Sequence, residues 1–331
     1  MDLISVIIPF YQKRNGILRR TLESIICQNL PSDVKFDIII VDDGSPSPVE
    51  PETENLTFPS GHDLKIIKKT NGGVSSARNA GLAAVDPRSA YVAFLDSDDI
   101  WDPHHISEGL SALRTGADIY FCDNRREGFH QSYFAEVSPE ILAESHAVGN
   151  ALRVIEQSRF VSILFSKFPS QISTVLLRAE IATAIRFDEK FKIAGEDMIY
   201  IFMASTMAKR ILFSEKANVL CADGLNIYFS TMDWDSPGHL QRLIEEMRLY
   251  KYLSGIDNMP GHNRRWLSVL YRRSRKNVTF FLLRALFKGN IKNFIKSTVR
   301  SSRIDPEFIV FFPIHIVSTL SSLLVGNHKL D

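Results

Sequence analysis

The sequence predicts an α/β protein built on a doubly wound, mostly parallel sheet flanked by helices, followed by a helical, basic C-terminal module. Two observations predict the sheet. Apolar runs such as LISVIIPF (3–10), FDIIIV (36–41) and AYVAFL (90–95) hardly alternate with polar residues, as expected of strands covered on both faces. Helix-like segments separate these runs, and a helix between strands implies a parallel crossover. Charge predicts the module: twelve of the 39 basic residues lie within 264–303, a stretch without an acid, so the rest of the chain carries all 38 acidic residues.

In order, residues 3–10 read as the first strand, 16–28 as a helix and 36–41 as the second strand. Residues 45–61 are rich in Pro, Ser and Glu and read as a surface loop or disordered insertion without chemistry. Residues 64–67 form a third strand, 74–84 a helix, 90–95 a fourth strand and 117–122 a fifth. His104 and His105 simply open the helix after Trp101-Asp102-Pro103. Residues 124–148 mix signals and suit a hairpin or a mobile loop. At 331 residues and 45% hydrophobic content, the chain is long enough for one large domain or about two smaller ones. Cys27, Cys122 and Cys221 are too scattered for a disulfide framework or a paired-cysteine zinc site and suit a reducing cytosol. The start, MDLISVIIPFYQ, lacks the basic residues and long apolar run of a secretory signal, so no export is expected.

Ligands bind doubly wound sheets beyond the carboxyl ends of the strands, which here read PFYQ, DDGS, TNGG and DSDD. Any one of these is an ordinary turn. Two acidic ends on neighbouring strands point to a site. Asp96 and Asp98 stand two apart after the fourth strand, where a turn brings both carboxylates toward one point. Such oxygen ligands suit Mg2+ or Mn2+, and a divalent ion between them and a nucleotide diphosphate neutralises both. Asp42 and Asp43 are able to accept hydrogen bonds from a base N–H or from ribose hydroxyls. Gly72 and Gly73 allow close backbone approach before a helix, a combination that holds an anion, with Arg78 adding charge. The plain alternative is a glycine turn, a serine cap and a surface arginine.

Taken together, SVIIPFYQ, VDDGS, NGGVSSARNAG and FLDSDDIW resemble, in order and spacing, the inverting glycosyltransferases of family 2, which have the GT-A fold with its Rossmann-like sheet. The resemblance covers residues 3–125 strongly and continues more weakly to residue 205. It implies a nucleotide, usually uridine, contacted by Pro9, Tyr11, Asp42 and Asp43, with Arg78 as a basic contact on the nucleotide side. It places a DXD motif on Asp96-Ser97-Asp98. Asp98 is then the metal ligand, Asp96 its partner toward the ribose or metal-bound waters, and Asp99 a supporting or sugar contact. The family's Glu-Asp motif falls on AGEDMIYIF (194–202), which makes Asp197 the base that receives the acceptor's proton and Glu196 a supporting or acceptor contact. Met198, Ile199 and Phe202 have helical spacing, so Asp197 sits in a first turn, where the helix dipole favours an ionised carboxylate. An ordinary acidic helix start is the alternative. One departure is plain: LNIYFSTMDWDSPG (225–238) lacks the Tyr-Arg-x-His-like segment of many members, which leaves a third metal ligand unassigned. Trp234, inside that stretch, either stacks on a sugar or simply packs.

The cations of 264–303 interleave with apolar residues as in amphipathic helices that lie on an anionic membrane surface. A solvated helical pair packed on the body is the alternative, and no nucleic-acid module accompanies the charge. Residues 308–326 carry no Asp, Glu, Lys or Arg and approach the length of a bilayer span, interrupted by Pro313 and His315. Lying in the interface, packing within the protein or an oligomer, and spanning all stay open.

The expectation is a metal-dependent inverting glycosyltransferase of hexosyltransferase type, using Mn2+ or Mg2+. Its donor is a nucleotide sugar, most simply a UDP-sugar, and its acceptor a hydroxyl of a glycan or lipid-linked saccharide. The setting is bacterial surface-polysaccharide synthesis, with the protein cytoplasmic and peripheral on the inner membrane through 264–326. A GT-A catalytic domain spans 1–235, with a nucleotide half (1–125) and an acceptor half (126–235), and the basic module spans 236–331. Oligomerisation is left open. The rivals are a non-catalytic scaffold of the same fold and a sugar-nucleotide pyrophosphorylase, which opens with a glycine-rich loop where this chain has PFYQKRNG. A dinucleotide oxidoreductase would need G-x-G-x-x-G at that place.

Overall fold

The computed structural model describes residues 2–126, 129–191, 195–222, 234, 236, 238–256 and 261–324. The chain divides into two compact units, Met1–Lys192 with Glu196–Leu225, and Ile193–Gly195 with Asn226–Asp331.

The first unit is organised around one ten-stranded sheet. Its strands are β1 (Asp2–Phe10), β2 (Val34–Asp42), β3 (Asp63–Lys68), β4 (Tyr91–Phe94), β5 (Ile100–Trp101), β6 (Ile119–Arg126), β7 (Ser145–Gly149), β8 (Leu152–Ile155), β9 (Leu176–Arg178) and β10 (Ile211–Cys221). Their order is β3-β2-β1-β4-β9-β6-β10-β8-β7, with β5 paired to β10. β3, β2, β1 and β4 run parallel as one block, so Asp42, Phe10 and Phe94 end at the same edge. β9 enters antiparallel between β4 and β6. β4 and β6 therefore share a direction, and their carboxyl ends share an edge.

The central strands are buried on both faces and carry runs of branched aliphatics such as Val6–Ile8 and Ile38–Val41. Ile4, Val6 and Ile8 pack with Leu18, Leu22 and Ile25 of α1 (Ile17–Ile26) in one buried cluster. Each such side chain contributes roughly 1.5–3 kcal/mol on burial. The 45–61 stretch, expected as a loop or disordered insertion, is folded. Val49 is fully buried, and α2 (Glu50–Thr53) buries Glu52, whose carboxylate accepts from the N–H groups of Gly16 and of Arg19 (2.9 Å). Gly16 is the N-cap of α1 and has no side chain to cap with, so Glu52 satisfies those N–H groups from a distant segment. On the opposite face of β1, α3 (Val74–Ala83) lies so close that a Cβ on Gly81 would stand 2.4 Å from Ile7 Cγ2.

α4 (His105–Arg114) starts at His105 as the sequence suggests, but that ring is wholly buried against Trp101, with centroids 5.0 Å apart. Burial lowers its pKa to about 3, so it is a neutral core residue. Residues 124–148 hold the end of β6, α5 (Tyr133–Glu136), α6 (Glu140–Ala143) and most of β7. α7 (Gln157–Lys167), α8 (Ala179–Ala184) and α9 (Glu196–Met207) complete the unit.

The second unit comprises α10 (His239–Ser254), α11 (Gly261–Phe287), α12 (Ile291–Ile304) and α13 (Glu307–Leu324). Its core joins Leu240, Ile244 and Met247 of α10 to Val278 and Leu282 of α11 and Phe308 of α13. The twelve cations are not all available to a surface. Arg275 is buried against Asp305 (2.6 Å), which also pairs with Lys251 (3.2 Å), and Arg300 pairs with buried Glu245 (2.6 Å). α13 runs through Pro313. No helix among the described residues is long and apolar enough to cross a membrane.

The contact at Gly81 is testable: Gly81→Ala should lower the unfolding free energy by about 1–3 kcal/mol in a denaturant titration. An unchanged midpoint would refute the tight α3–β1 packing.

Candidate active site

Loops after the parallel strands converge at their carboxyl edge. After β1, Pro9 is buried and Tyr11 emerges with 47% of its surface exposed. Gln12 turns back inward. Its N–H donates to Ser45 Oγ (2.8 Å), its carbonyl accepts from the same hydroxyl (3.0 Å), and its Nε2 donates to Ser97 Oγ (2.9 Å). One glutamine thus ties together the loops that follow β1, β2 and β4.

After β2, Asp42 Oδ1 accepts from the Ser45 N–H (2.8 Å). Asp43 is almost wholly buried, accepts from the N–H groups of Gly72 (2.9 Å) and Gly73 (2.7 Å), and pairs with Lys69 (2.6 Å). The glycine pair was expected to cradle an outside anion, and it cradles Asp43. The Asp43 carboxylate thereby shapes the loop before α3.

After β4 comes the acidic turn. Ser173 Oγ accepts from the Asp96 N–H (3.0 Å), and Thr21 Oγ1 of α1 donates to the carbonyls of Ser97 (3.1 Å) and Asp99 (2.9 Å). Asp99 is buried and accepts from the Ala222 N–H (3.0 Å) just beyond β10. Asp98 pairs with no cation among the described residues. Burial, reinforced by the Asp96 charge, pushes the Asp98 carboxyl up to about 6. Burial and the charges of Asp96 and Asp98 push Asp99 up as well.

Arg78 on α3 is buried, donating to Asp96 Oδ1 (2.7 Å) and Glu196 Oε1 (3.2 Å), with its guanidinium 5.2 Å from the centroid of the Phe187 ring. It was expected as a basic contact on the nucleotide side, with a surface arginine as the plain alternative; it is buried and clamped between two carboxylates. Burial opposes its charge, but Asp96, Glu196 and Asp197 outweigh that cost and raise its pKa. On the same helix face, Asn79 exchanges hydrogen bonds with the Phe187 backbone (2.9 and 2.8 Å), and Ser75 Oγ donates to the Phe191 carbonyl (3.3 Å). The α3 motif therefore grips residues 187–191 and the start of α9. There Asp197 is half-buried in the first turn, with Oδ1 accepting from the Met198 N–H (2.8 Å). Burial and the neighbouring Glu196, opposed by Arg78, raise the Asp197 carboxyl to about 7.

The model of the family described as "Glycosyl transferase family 2" matches residues 5–167. The chain is also 30% identical to the succinoglycan biosynthesis protein ExoW of Rhizobium meliloti over 244 residues, 73% of this chain and 75% of that one. The chain belongs to glycosyl transferase family 2. It is a glycosyltransferase, and the pyrophosphorylase and scaffold readings fall with that assignment. This family 2 enzyme is 30% identical to the minor teichoic acid biosynthesis protein GgaA of Bacillus subtilis over 71% of its own length and 48% of that chain. Its fold is that of S. aureus TarS 1–349, solved in complex with UDP-GlcNAc (TM-score 0.58, 18% identity, 99% of this chain and 93% of that one). The mannosyltransferase PcManGT of Pyrobaculum calidifontis, solved with GDP-Man and Mn2+, shares it too (TM-score 0.54, 14% identity, 98% and 87%).

In this glycosyltransferase the structure brings Asp96, Glu196 and Asp197 together around Arg78, with Asp98 and Asp99 on the same turn as Asp96. Trp234 lies in the second unit, edge-on to Phe280 and Phe281 and with 47% of its surface exposed. Residues 225–233, where a third metal ligand was sought, lie outside the described residues. Among the described residues no three His, Cys, Asp or Glu side chains converge into a metal cage. Asp96 and Asp98 nevertheless fit a Mg2+ or Mn2+ ion that keeps several waters and shares substrate phosphates. Sequence reasoning missed Gln12, Thr21, Asn79 and Ser173, whose polar atoms hold the turns in place. Gln12 and Asn79 stood inside quoted motifs, whereas Thr21 and Ser173 gave no local signal. A cavity of about 320 Å³ lined by Ile25, Val34, Phe36, Phe58 and His62 lies at the other end of β2 and gathers no carboxylates.

Arg78→Met should cost about 3 kcal/mol of stability, because Glu196 is then left buried without its cation. Lys68→Met, which breaks only an exposed pair with Glu50, should leave the denaturation midpoint in place. Equal effects of the two substitutions would refute the buried clamp.

Proposed function

We propose that this enzyme transfers a sugar from a UDP-activated donor, with inversion and with the help of a divalent cation, to a hydroxyl of a lipid-linked saccharide in bacterial surface-polysaccharide synthesis. The clamp at Arg78 carries this reading. One buried guanidinium holds the first aspartate of the acidic turn and the glutamate next to Asp197, so the leaving-group end and the base's helix are referred to a single point. The donor and setting are supported by the TarS complex with UDP-GlcNAc and by the polysaccharide and teichoic acid roles in the names of ExoW and GgaA.

Pro9, the exposed ring of Tyr11, and Asp42 take the nucleoside. Asp98, with Asp96, holds the cation, whose chemistry when bound is to neutralise the diphosphate leaving group; PcManGT was solved with Mn2+. The acceptor oxygen attacks the anomeric carbon, the bond from that carbon to the diphosphate oxygen breaks, and the acceptor's proton passes to the Asp197 carboxylate. Burial brings Asp197 to a pKa of about 7, which makes it a better base than an exposed aspartate. Asp43 and Arg78 act by positioning, Glu196 holds Arg78, and Asp99 anchors the acidic turn to Ala222. The acceptor's lipid and the cations of the second unit fit a peripheral location on the cytoplasmic face of the membrane.

Asp197→Asn should cut transfer by about 10²–10⁴-fold while leaving the UDP-sugar dissociation constant in place. Retained transfer in a folded variant would sink the base assignment. Because Asp197 acts ionised, the wild-type rate should rise with pH through about 7. Stability should run the other way. The folded pKa of Asp197 lies above its ordinary 3.8, so the folded protein holds the proton more tightly and the metal-free enzyme loses stability as pH rises from 3.8 to about 7. A pH series of melting temperatures beside the rate profile checks both signs. Calorimetry of donor binding should show a Mn2+ effect in wild type and none in Asp98→Asn; an equal Mn2+ effect in both proteins would overturn the role of Asp98.

A further inference from the structure

Helix α12 packs Phe294 and Ile304 against the core of its unit yet leaves its other aliphatic side chains outside. Ser297 and Ser301 are buried, while Ile291, Ile295 and Val299 are 57%, 56% and 45% exposed. These three follow one another at every fourth residue and so form one stripe. Lys292, Lys296 and Arg303 form the stripe beside it. All three are exposed and none has an ion pair among the described residues, unlike Arg300, which pairs with Glu245. The helix that follows repeats the exposure. α13 buries Phe308 and His315 and leaves Ile309, Val310, Ile314 and Val317 54–71% exposed. Burying such side chains in water-free surroundings is favourable, and two successive helices leave theirs outside.

We propose that the outward faces of α12 and α13 dock on an anionic lipid bilayer, the aliphatic side chains entering the headgroup boundary and Lys292, Lys296 and Arg303 meeting lipid phosphates. Charge decides the occupant. A second copy meeting this face with its own α12 stripe would set cation against cation, since no acid occurs in 258–304. Apolar insertion combined with basic residues on one helix is the pattern of an interfacial helix. The inference rests on the membrane location proposed above and narrows it to one face, since Arg275 and Arg300 on inward faces are already engaged by acids.

The test is co-sedimentation of the full chain with vesicles of phosphatidylcholine alone and of equimolar phosphatidylcholine and phosphatidylglycerol. Wild type should bind the anionic vesicles and not the neutral ones. Lys292→Gln with Lys296→Gln should weaken that binding about thirtyfold. Ile291→Ser, Ile295→Ser, Val310→Ser and Ile314→Ser combined should abolish it. Unaltered circular dichroism and melting temperature certify that both variants are folded. If wild type and both variants bind the anionic vesicles equally, this face is overturned and the membrane location stands through another segment. If wild type binds no vesicle, both readings fall. If wild type binds no vesicle and is an oligomer that the four-serine variant turns into a monomer, the face is a contact between copies and the inference is overturned.

Discussion

The first unit's site depends on one buried guanidinium. Arg78 is removed from water, which is costly for a cation unless carboxylates replace its hydration. Its partners come from positions 18 and 118 residues away, Asp96 and Glu196. Neither strand order nor helix packing alone sets the acidic turn against the first turn of α9. The arginine does so, and it is itself held because α3 packs on β1 through the glycine at 81 and grips 187–191 through Asn79 and Ser75. Local packing, a long-range ion pair and the placing of a base are thus links of a single chain.

The same clamp leaves the site over-supplied with negative charge. Asp96, Asp98, Asp99, Glu196 and Asp197 gather around one arginine, so their mutual repulsion adds to burial and moves Asp98, Asp99 and Asp197 toward protonation. Only two outcomes relieve this: protons or a cation. Arg78 satisfies Asp96 and Glu196, which leaves Asp98 without an ion pair among the described residues. In the proposed mechanism, the divalent ion and the raised base pKa therefore belong to one electrostatic problem, with the metal and the proton competing for the same surplus.

Much of this was legible in the sequence. The parallel block appeared as uninterrupted β-branched runs, the acidic strand ends appeared as DDGS and DSDD, and the helix start at Glu196 followed from apolar spacing. What stayed hidden depends on distance or on sign. Glu52 looked like solvent-facing composition because nothing local reveals that it caps a helix beginning at Gly16. Asp43 looked like a ligand contact because its partners lie 29 and 30 residues ahead. The antiparallel β9 is only three residues long, too short for a periodic signal. For α12, spacing revealed which residues share a face, but the choice of the serine face for the interior was made by its neighbours. Amphipathicity fixes a helix's two sides without saying which one looks inward.

The loop before α3 has a further meaning. Backbone N–H groups converging on one point usually make an open berth for whatever anion is at hand. Here the berth is already taken by the chain's own Asp43, with Lys69 closing over it. A loop built this way has already spent its two converging N–H groups on a carboxylate of its own chain, so what would be an open anion berth serves as an internal tie between the ends of β2 and β3.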